Sequence, residues 1–266
     1  MAVYADLIRY RELFANLFRR DYHAKYRASA LGVVWSLVNP LALMGVYLVV
    51  FGIVLNRSTG IPHYPIYLLS GIACWMFFAV SLQASSRSMV DSAELIKKVR
   101  FPRQLVAFSV VATQGITFLV MLAILIVLSL VFVPSGRGTV WLVIPLAFVY
   151  AAFVAGVSLV VACANVVFRD IEYILTAALV PWFFVTPILW SAATLTPSAA
   201  SHHKLLDVLE WGNFVAPPIA ALRQTIWLGQ APRLADVIYL VVAAFVSLSL
   251  GAFVFSRVDD RLAVEL

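Results

Sequence analysis

Six long stretches of the chain are almost purely apolar, and their lengths predict the fold class. A helix needs about 20 predominantly apolar residues to cross the hydrocarbon core of a bilayer. The six stretches contain no Asp, Glu, Lys or Arg and lie at residues 33–55, 64–84, 105–133, 140–167, 174–190 and 237–255. This pattern predicts an all-α integral membrane protein with six transmembrane helices.

The N-terminal segment shows a helical period instead of continuous hydrophobicity. Between residues 6 and 21, apolar side chains such as Leu7, Leu13 and Phe14 recur on one helical face, and polar side chains such as Arg9 and Arg19 lie opposite. Such a pattern is typical of a helix in the membrane interface. A soluble surface helix would have the same period, but no soluble domain accompanies it. We therefore expect residues 1–31 to form an interfacial helix followed by a basic turn.

The longest connection, residues 191–236, is not a plain polar loop. Its apolar piece, residues 214–228, is interrupted by Pro217, Pro218 and Arg223 and is too short to span the bilayer. We expect re-entrant helices here, dipping into the outer leaflet and covered by protein or water. The alternative is a seventh spanning helix, which would move the C-terminus to the other side.

Composition and charge support membrane insertion and set the topology. The chain of 266 residues is 63% hydrophobic and 12% charged, with a mean hydropathy of +0.97, which excludes a soluble globular protein. Cytoplasmic loops carry an excess of Lys and Arg. With the N-terminus inside, fourteen of the 19 cations are cytoplasmic, and five are outside: Arg57, Arg137, Lys204, Arg223 and Arg233. We expect one transmembrane domain, residues 1–266, with both termini in the cytoplasm and no nucleic-acid partner.

Residues 87–103 form the most strongly charged segment between two apolar stretches. The part from Asp91 to Arg100 has the period of a short amphipathic helix with Leu95, Ile96 and Val99 as an apolar ridge, and Phe101-Pro102 disfavours its continuation. One interpretation is a helix that docks on a cytoplasmic partner. The other is an ordinary basic loop whose charge only sets the topology.

The chain lacks the motifs of the common enzymatic and energy-coupling sites. It has no phosphate-binding loop, no HExxH and no CxxC, and the adjacent His202 and His203 lack the spacing of a helical metal site. A membrane-embedded transferase would need acid and base groups at the membrane face. The only available carboxylates of that kind are Asp170, Glu172, Asp207 and Glu210. We therefore expect a transport protein with no metal and no cofactor of its own.

Aromatic side chains cluster in the second and fifth apolar stretches. An interfacial belt is one explanation for them, especially for Trp75 and Trp190. The functional explanation is a surface on which sugar rings stack. The candidates for such stacking are Trp75, Phe77, Phe78, Trp182, Phe183 and Phe184.

Three motifs resemble the permease subunits of bacterial polysaccharide ABC exporters, the Wzm, TarG and KpsM kind. Tyr26-Arg27 and then residues 31–40 (LGVVWSLVNP) are similar to the family's start of the first span. Residues 95–103 (LIKKVRFPR) resemble its coupling segment, and residues 165–171 (NVVFRDI), with Arg169 and Asp170, resemble its inner boundary turn. The three motifs occur in the family's order, and the resemblance covers nearly the whole chain.

The resemblance implies a homodimer paired with two copies of a separate ATPase, which binds ATP and Mg²⁺. The ATPase would be coupled through one segment: Asp91, Glu94, Leu95, Ile96, Lys97, Lys98, Val99, Arg100 and Phe101. The cargo would be a glycan on a polyprenyl diphosphate, exported across the bacterial cytoplasmic membrane. Lys25 and Arg27 are candidates for contacting the diphosphate at the inner mouth, because they are basic and precede the first span.

The resemblance also marks an outer gate and leaves one rival function. Pro217 and Arg223 correspond to the family's outer helix, although Ala216-Pro217-Pro218 stands where the family usually has Asn-Pro. A drug or lipid exporter of the same architecture is the alternative. The glycan itself, whether O-antigen, teichoic acid, capsule or galactan, is not specified by these motifs.

Overall fold

The structure is a computed structural model that describes residues 2–27, 32, 34–54, 61–98, 101–191 and 203–265. Every regular element in this part of the chain is a helix. The α-helices in chain order are α1 (Ala2–Arg9), α2 (Arg11–Tyr26), α3 (Val34–Tyr47), α4 (Tyr64–Asp91), α5 (Ala93–Lys98), α6 (Gln104–Phe132), α7 (Val143–Val167), α8 (Ile171–Val185), α9 (His203–Asp207), α10 (Ala216–Trp227) and α11 (Leu234–Glu265). A π-helical segment, Leu48–Val54, continues α3, a second, Val208–Gly212, continues α9, and two 3₁₀ turns, Pro134–Gly138 and Val140–Leu142, precede α7.

Five helical segments are long and apolar enough to cross a membrane. They are Leu37–Val54, Tyr64–Asp91, Gln104–Phe132, Val140–Val167 and Leu234–Asp259. Each falls on one of the predicted spans, so five of the six are supported by the described residues. The fifth predicted span, residues 174–190, contains only the 15-residue helix α8. At 1.5 Å per residue, α8 is about 22 Å long, less than the ~30 Å of hydrocarbon.

Helix α8 ends early because a proline follows it. Thr186 precedes Pro187 and has extended backbone angles, φ −76° and ψ 134°, as a residue before proline prefers. The segment from Thr186 to Leu189 is buried without being helical. Its carbonyl groups are satisfied by side chains: Tyr64 Oη donates to Leu189 O at 3.1 Å, and Arg223 Nη1 donates to Pro187 O at 2.7 Å. Irregular backbone is tolerated at this place because protein side chains replace the missing helical donors.

Helix α4 lies at the centre of the bundle. Twenty of its 28 residues are buried, and α3, α6, α7, α8 and α10 all pack against it. By contrast, only one of the 18 residues of the segment Leu37–Val54 in the first span is buried in the single chain, and ten are exposed. A membrane helix with this much exposed apolar surface faces lipid or another subunit.

Helices α7 and α11 make the closest approach in the bundle through small residues. A Cβ built on Gly156 would lie 2.5 Å from the backbone atoms Leu248 N and Ser247 C. A Cβ on Gly251 would lie 2.9 Å from Gly156 O. Ser247 Oγ also donates to Phe153 O at 3.1 Å. Small residues at a helix crossing allow backbones to approach, which is the usual way in which membrane helices associate.

The N-terminal segment is two helices, not the single helix predicted over residues 6–21. Its apolar face packs on the bundle, since buried Leu17 contacts Leu105 and Val106 at the start of α6. Polar contacts hold the same surface: Gln104 Nε2 donates to Asp6 Oδ2 at 2.8 Å and Ser109 Oγ to Asp21 Oδ2 at 2.6 Å.

Helix α1 reaches α11 as well. The Tyr4 hydroxyl donates to Leu248 O, and burial raises the pKa of Tyr4 to about 12, so that it stays a donor at neutral pH.

Four contacts bring one set of chain segments to the same end of the bundle. Arg87 pairs with Glu172 at 2.9 Å, and Arg103 pairs with Asp259 at 3.3 Å. Arg20 Nη2 donates to Ser92 Oγ at 3.3 Å, and Asp6 accepts from Gln104. We call this end, which carries α1, α2 and α5 with the adjoining ends of α4, α6, α7, α8 and α11, the basic end. The segments at the basic end are the ones that were predicted to lie together in the cytoplasm. Which side of the membrane the basic end faces stays a prediction.

Candidate functional site

The predicted coupling segment forms a separate short helix at the basic end. Helix α5 has six residues, and Val99 and Arg100 of the predicted segment lie outside the described residues. The exposed side chains are Asp91, at the end of α4, and Glu94, Lys97 and Lys98 of α5. Glu94 and Lys98 form an exposed i,i+4 ion pair at 3.2 Å. The surface that α5 offers to a partner is therefore charged, with Leu95 and Phe101 half-buried beside it.

The prediction that Ile96 belongs to an outward-facing ridge is wrong for the folded chain. Ile96 is only 6% exposed and belongs to a cluster with Met89, Phe108 and Phe255. These residues come from α4, α6 and α11, and Tyr4, Leu7 and Phe14 of the N-terminal helices pack against the same cluster. The apolar side of α5 is thus covered by the chain's own bundle, because α1 and α2 lie over the basic end.

Asn165 joins three elements at the inner boundary turn. Its Nδ2 donates to Ser86 O in α4 at 2.8 Å, and its Oδ1 accepts from Glu172 N at the start of α8 at 3.0 Å. Glu172 in turn pairs with Arg87, whereas Arg169 and Asp170, which the motif emphasised, are exposed. Sequence reasoning assigned no role to Asn165. The available signal was that it is the one carboxamide in the fourth apolar stretch.

A cavity of about 620 Å³ opens beside the basic end, between α2, α3, α4 and α6. We call it the Lys25 cavity. Its deeper wall is apolar and includes Met76, Phe77, Phe118 and Met121, with the Phe77 and Phe118 rings stacked at 4.6 Å. Its rim is polar and carries three cations, Arg20, Lys25 and Arg87, and two anions, Asp21 and Asp91. The arrangement is that of a site for an amphiphile.

Lys25 differs from the other two cations of the rim in its partners. Arg20 is paired with Asp21 at 2.8 Å and Arg87 with Glu172. Lys25 Nζ donates to Gln114 Oε1 at 2.6 Å and to Thr117 Oγ1 at 3.2 Å, and both of these partners are neutral. Among the residues that the structure describes, no carboxylate forms an ion pair with Lys25 within 4.0 Å. Arg27, the second predicted diphosphate contact, is exposed and does not line the cavity.

Most of the aromatic residues predicted to stack on sugars are part of the main apolar core of the single chain. Trp75 and Phe78 are 4% and 0% exposed, and Phe78 stacks on Phe153 with ring centroids 6.0 Å apart. Trp182 and Phe183 pack against Trp75 at 6.0 and 5.8 Å. Phe184 is 52% exposed, and Phe77 lines the Lys25 cavity. Stacking with a sugar stays a prediction, and these two rings are the best placed for it.

Arg223 is buried at the end of the bundle opposite the basic end. Its side chain is 7% exposed, donates to Pro187 O, and lies with its guanidinium carbon 4.1 Å from the centre of the Tyr67 ring. In the described part of the chain no ion pair within 4.0 Å joins it to Asp207 or Glu210, the carboxylates nearest to it in the preceding sequence. A carbonyl oxygen and an aromatic face hold it instead. Pro217 is buried at the first turn of α10, where proline is favoured.

The Arg223 side chain lines a cavity of about 260 Å³ between α10, the start of α11 and the turn after α8. We call it the Arg223 pocket. Gln224 Nε2 donates to Asp236 Oδ2 at 2.7 Å across the joint between α10 and α11. Helix α10 is 12 residues long and buried among α4, α7 and α11, in agreement with the prediction that residues 214–228 do not span the membrane.

Comparison with known proteins identifies the family. Residues 12–227 match the ABC-2 type transporter family. The chain belongs to this family. It is similar to the O-antigen export system permease proteins RfbA of Myxococcus xanthus, 32% identical over 73% of this chain and 74% of that protein, and of Klebsiella pneumoniae, 31% identical over 68% and 70%. The polysialic acid transport protein KpsM of Escherichia coli is 20% identical over 92% of this chain and 93% of that protein.

These findings confirm the family that the three motifs suggested. The chain is an ABC-2 permease, a multi-pass protein of the cytoplasmic membrane whose relatives are transport subunits for polysaccharide export. Membership in this family makes transport its class of activity. The Lys25 cavity and the exposed surface of α5 are therefore features of a transport protein.

Proposed function

We propose that this permease is the transmembrane subunit of an ATP-driven exporter that moves a lipid-linked polysaccharide across the cytoplasmic membrane. The observation that carries the proposal is the similarity above 30% to two O-antigen export permeases over more than two thirds of the chain. The glycan is of the O-antigen, teichoic acid, capsule or galactan type. ATP and Mg²⁺ are bound by a separate ATPase, because this sequence has no phosphate-binding loop.

The functional unit is a homodimer with two copies of the ATPase. Exposed apolar surface on the first span and on α8 supports a second subunit at that side of the bundle: Trp35, Val46 and Ile53 are 57%, 56% and 75% exposed, and Ile174 and Val180 are 57% and 64% exposed. In this arrangement α8, together with the buried segment after it, forms the fifth span and completes the set of six. Helices α9 and α10 are the re-entrant outer pair, and both termini lie in the cytoplasm.

ATP-driven movement enters the permease through α5. The charged surface of Asp91, Glu94, Lys97 and Lys98 is the part that a soluble ATPase contacts. Ile96 anchors the same helix to α4, α6 and α11 through its apolar cluster. A displacement of α5 is then transmitted to three helices at once, because a packed apolar cluster moves as a unit.

The Lys25 cavity suits the lipid end of the cargo. Its apolar wall can receive a hydrocarbon chain, while Lys25, which forms no ion pair in the described part of the chain, is placed for the phosphate oxygens at the rim. The same shape could receive a small anionic lipid. For that reason the experiments below separate glycan export from lipid export.

The first prediction tests the function itself. The permease gene, co-expressed with the gene of its partner ATPase, should restore surface glycan in a bacterium that lacks its own exporter for the same lipid-linked glycan. The ATPase should co-purify with the permease. Surface glycan is measured by lectin or antibody binding to intact cells. Export of labelled phospholipid or drug without any surface glycan would contradict the proposal.

The second prediction concerns Lys25. Replacing Lys25 by glutamine removes the charge and keeps a hydrogen-bonding side chain, so the chain should fold and bind the ATPase normally while glycan export falls about tenfold or more. A charge-assisted hydrogen bond to phosphate contributes about 1.5–3 kcal/mol, and losing it corresponds to a decrease of tenfold or more. Arg27→Gln is the matched control, since Arg27 is exposed and does not line the cavity. Equal export by the two variants would show that the cavity does not hold the phosphate.

A further inference from the structure

The Arg223 pocket contains polar chemistry that neither the family match nor the coupling scheme uses. Two cations, Arg223 and Arg233, and two anions, Glu210 and Asp236, line it, so the lining carries no net charge. A pocket for a phosphate or a carboxylate would have an excess of cations. The balance of charges points to a neutral, polar ligand.

Two of these charged groups face the pocket with unused hydrogen-bonding capacity. Arg223 Nη1 makes one hydrogen bond, to Pro187 O, and a guanidinium has five N–H donors. In the part of the chain that the structure describes, the Glu210 carboxylate makes no hydrogen bond and no ion pair, although it lines the same cavity. A hydroxyl group is both a donor and an acceptor. Because both groups line the same cavity, hydroxyl groups of one ligand can accept from Arg223 and donate to Glu210.

An aromatic ring stands beside these polar groups. Trp211 lines the pocket and is 40% exposed, with its ring 6.2 Å from that of Tyr239. The Tyr67 ring is covered by Arg223 and is packed against the half-buried Trp227 ring, with centroids 4.8 Å apart, so Trp211 is the most exposed of the aromatic rings that line the pocket. Aromatic faces bind apolar C–H surfaces, and the adjoining carboxylate and guanidinium bind hydroxyl groups.

We propose that the Arg223 pocket is a saccharide-binding site that holds one neutral sugar ring between Trp211 and the pair Arg223 and Glu210. A sugar ring has the required combination of hydroxyl groups and C–H faces. The pocket lies at the end opposite the coupling helix, where an exported chain leaves the bundle. That the bound saccharide belongs to the exported glycan rests on the proposed function, whereas the binding itself does not.

The proposal is tested by saturation-transfer difference NMR on the full-length permease in lipid nanodiscs. The probes are methyl α-D-mannopyranoside, methyl β-D-galactopyranoside and methyl β-D-glucopyranoside, with D-glucuronate and glycerol 3-phosphate as anionic comparisons. At least one neutral glycoside should receive saturation, and its signal should fall about tenfold or more in Glu210→Gln and in Trp211→Leu, as expected for loss of a hydrogen bond to a charged group or of the stacking ring.

Two further variants show that the loss is specific. Trp211→Tyr keeps an aromatic face and should retain most of the signal. Trp141→Leu removes a tryptophan that is 63% exposed and does not line the pocket, so its signal should equal that of the parent chain. The melting midpoint should be the same in all variants, because the Glu210 carboxylate forms no ion pair within the described part of the chain and Trp211 and Trp141 are exposed.

Three results would overturn the saccharide site. They are the absence of any glycoside signal in the parent chain, an undiminished signal in both Glu210→Gln and Trp211→Leu, and binding of the anionic probes alone. Surface glycan, measured in cells that express the same variants, separates the two proposals. Glycan export without glycoside binding would contradict only the saccharide site. Glycoside binding without glycan export would contradict only the proposed function.

Discussion

Replacing Gly156 by alanine should lower the melting midpoint of the permease by about 4–10 °C. The added Cβ would lie 2.5 Å from the backbone of Ser247 and Leu248, and backbone atoms cannot move aside as a flexible side chain can. Helices α7 and α11 would have to separate, at an overpacking cost of about 1–3 kcal/mol. Gly156→Leu should abolish recovery of folded protein. The midpoint is followed by fluorescence-detected gel filtration after heating.

Gly115→Ala is the control for this substitution. Gly115 also lies within a membrane helix, α6, but its added Cβ would meet only Phe77 Cε2, at an ordinary 3.9 Å. Alanine there should leave the midpoint unchanged or raise it slightly, because glycine costs about 0.5–1 kcal/mol in a helix interior. If both alanine variants melt alike, the close crossing of α7 and α11 is not what holds these helices together.

Ile96→Asp should prevent the permease from folding, with or without its ATPase. The substitution places a carboxylate among Met89, Phe108 and Phe255 and removes an aliphatic side chain that is 6% exposed. The two effects together cost on the order of 4 kcal/mol. The measurement is the yield of monodisperse permease expressed alone. An Ile96 that faced the partner would give the opposite result, a well-folded permease that merely fails to retain the ATPase.

Lys97→Glu provides the comparison on the same helix. Lys97 is exposed on the surface offered to the partner, so the variant should be recovered like the parent chain and should retain less ATPase on purification. If Lys97→Glu retains the ATPase fully even at low salt, the charged surface of α5 is not the contact. If Ile96→Asp folds normally, the apolar cluster does not hold α5.

The sequence predicts the spans well and their ends less well. A run of apolar residues without charges has one stable environment, the bilayer, and five predicted spans correspond to long apolar helices. The fifth was predicted through Trp190, although α8 ends at Val185. Hydropathy does not show this end, because Pro187, Ile188 and Leu189 are as apolar as a helix would need; the local signal is Pro187, which disfavours helical geometry at Thr186. What permits the break is a set of donors from remote residues, Tyr64, Tyr67 and Arg223.

In the candidate sites, too, features that depend on one segment can be predicted from the sequence, whereas contacts with residues far away in the chain cannot. The position and charge of α5 follow from the segment itself. The burial of Ile96 does not, because helical periodicity identifies an apolar face without identifying which element covers it. Lys25 was found by its charge and its place before the first span, whereas the neutral partners Gln114 and Thr117 lie about 90 residues away in a stretch that looks uniformly apolar. The partners of Arg223, Pro187 and Tyr67, are likewise remote in the sequence.

Helix α11 connects the two sites without a break. At one end Asp236 lies in the Arg223 pocket, and at the other Asp259 is paired with Arg103, directly after the coupling segment. The two aspartates are 23 positions apart, which corresponds to about 34 Å of continuous helix. A stiff rod transfers a tilt from one end to the other. If an ATPase moves α5 as proposed, α11 would therefore act as a lever, and the same movement would change the width of the Arg223 pocket at its far end.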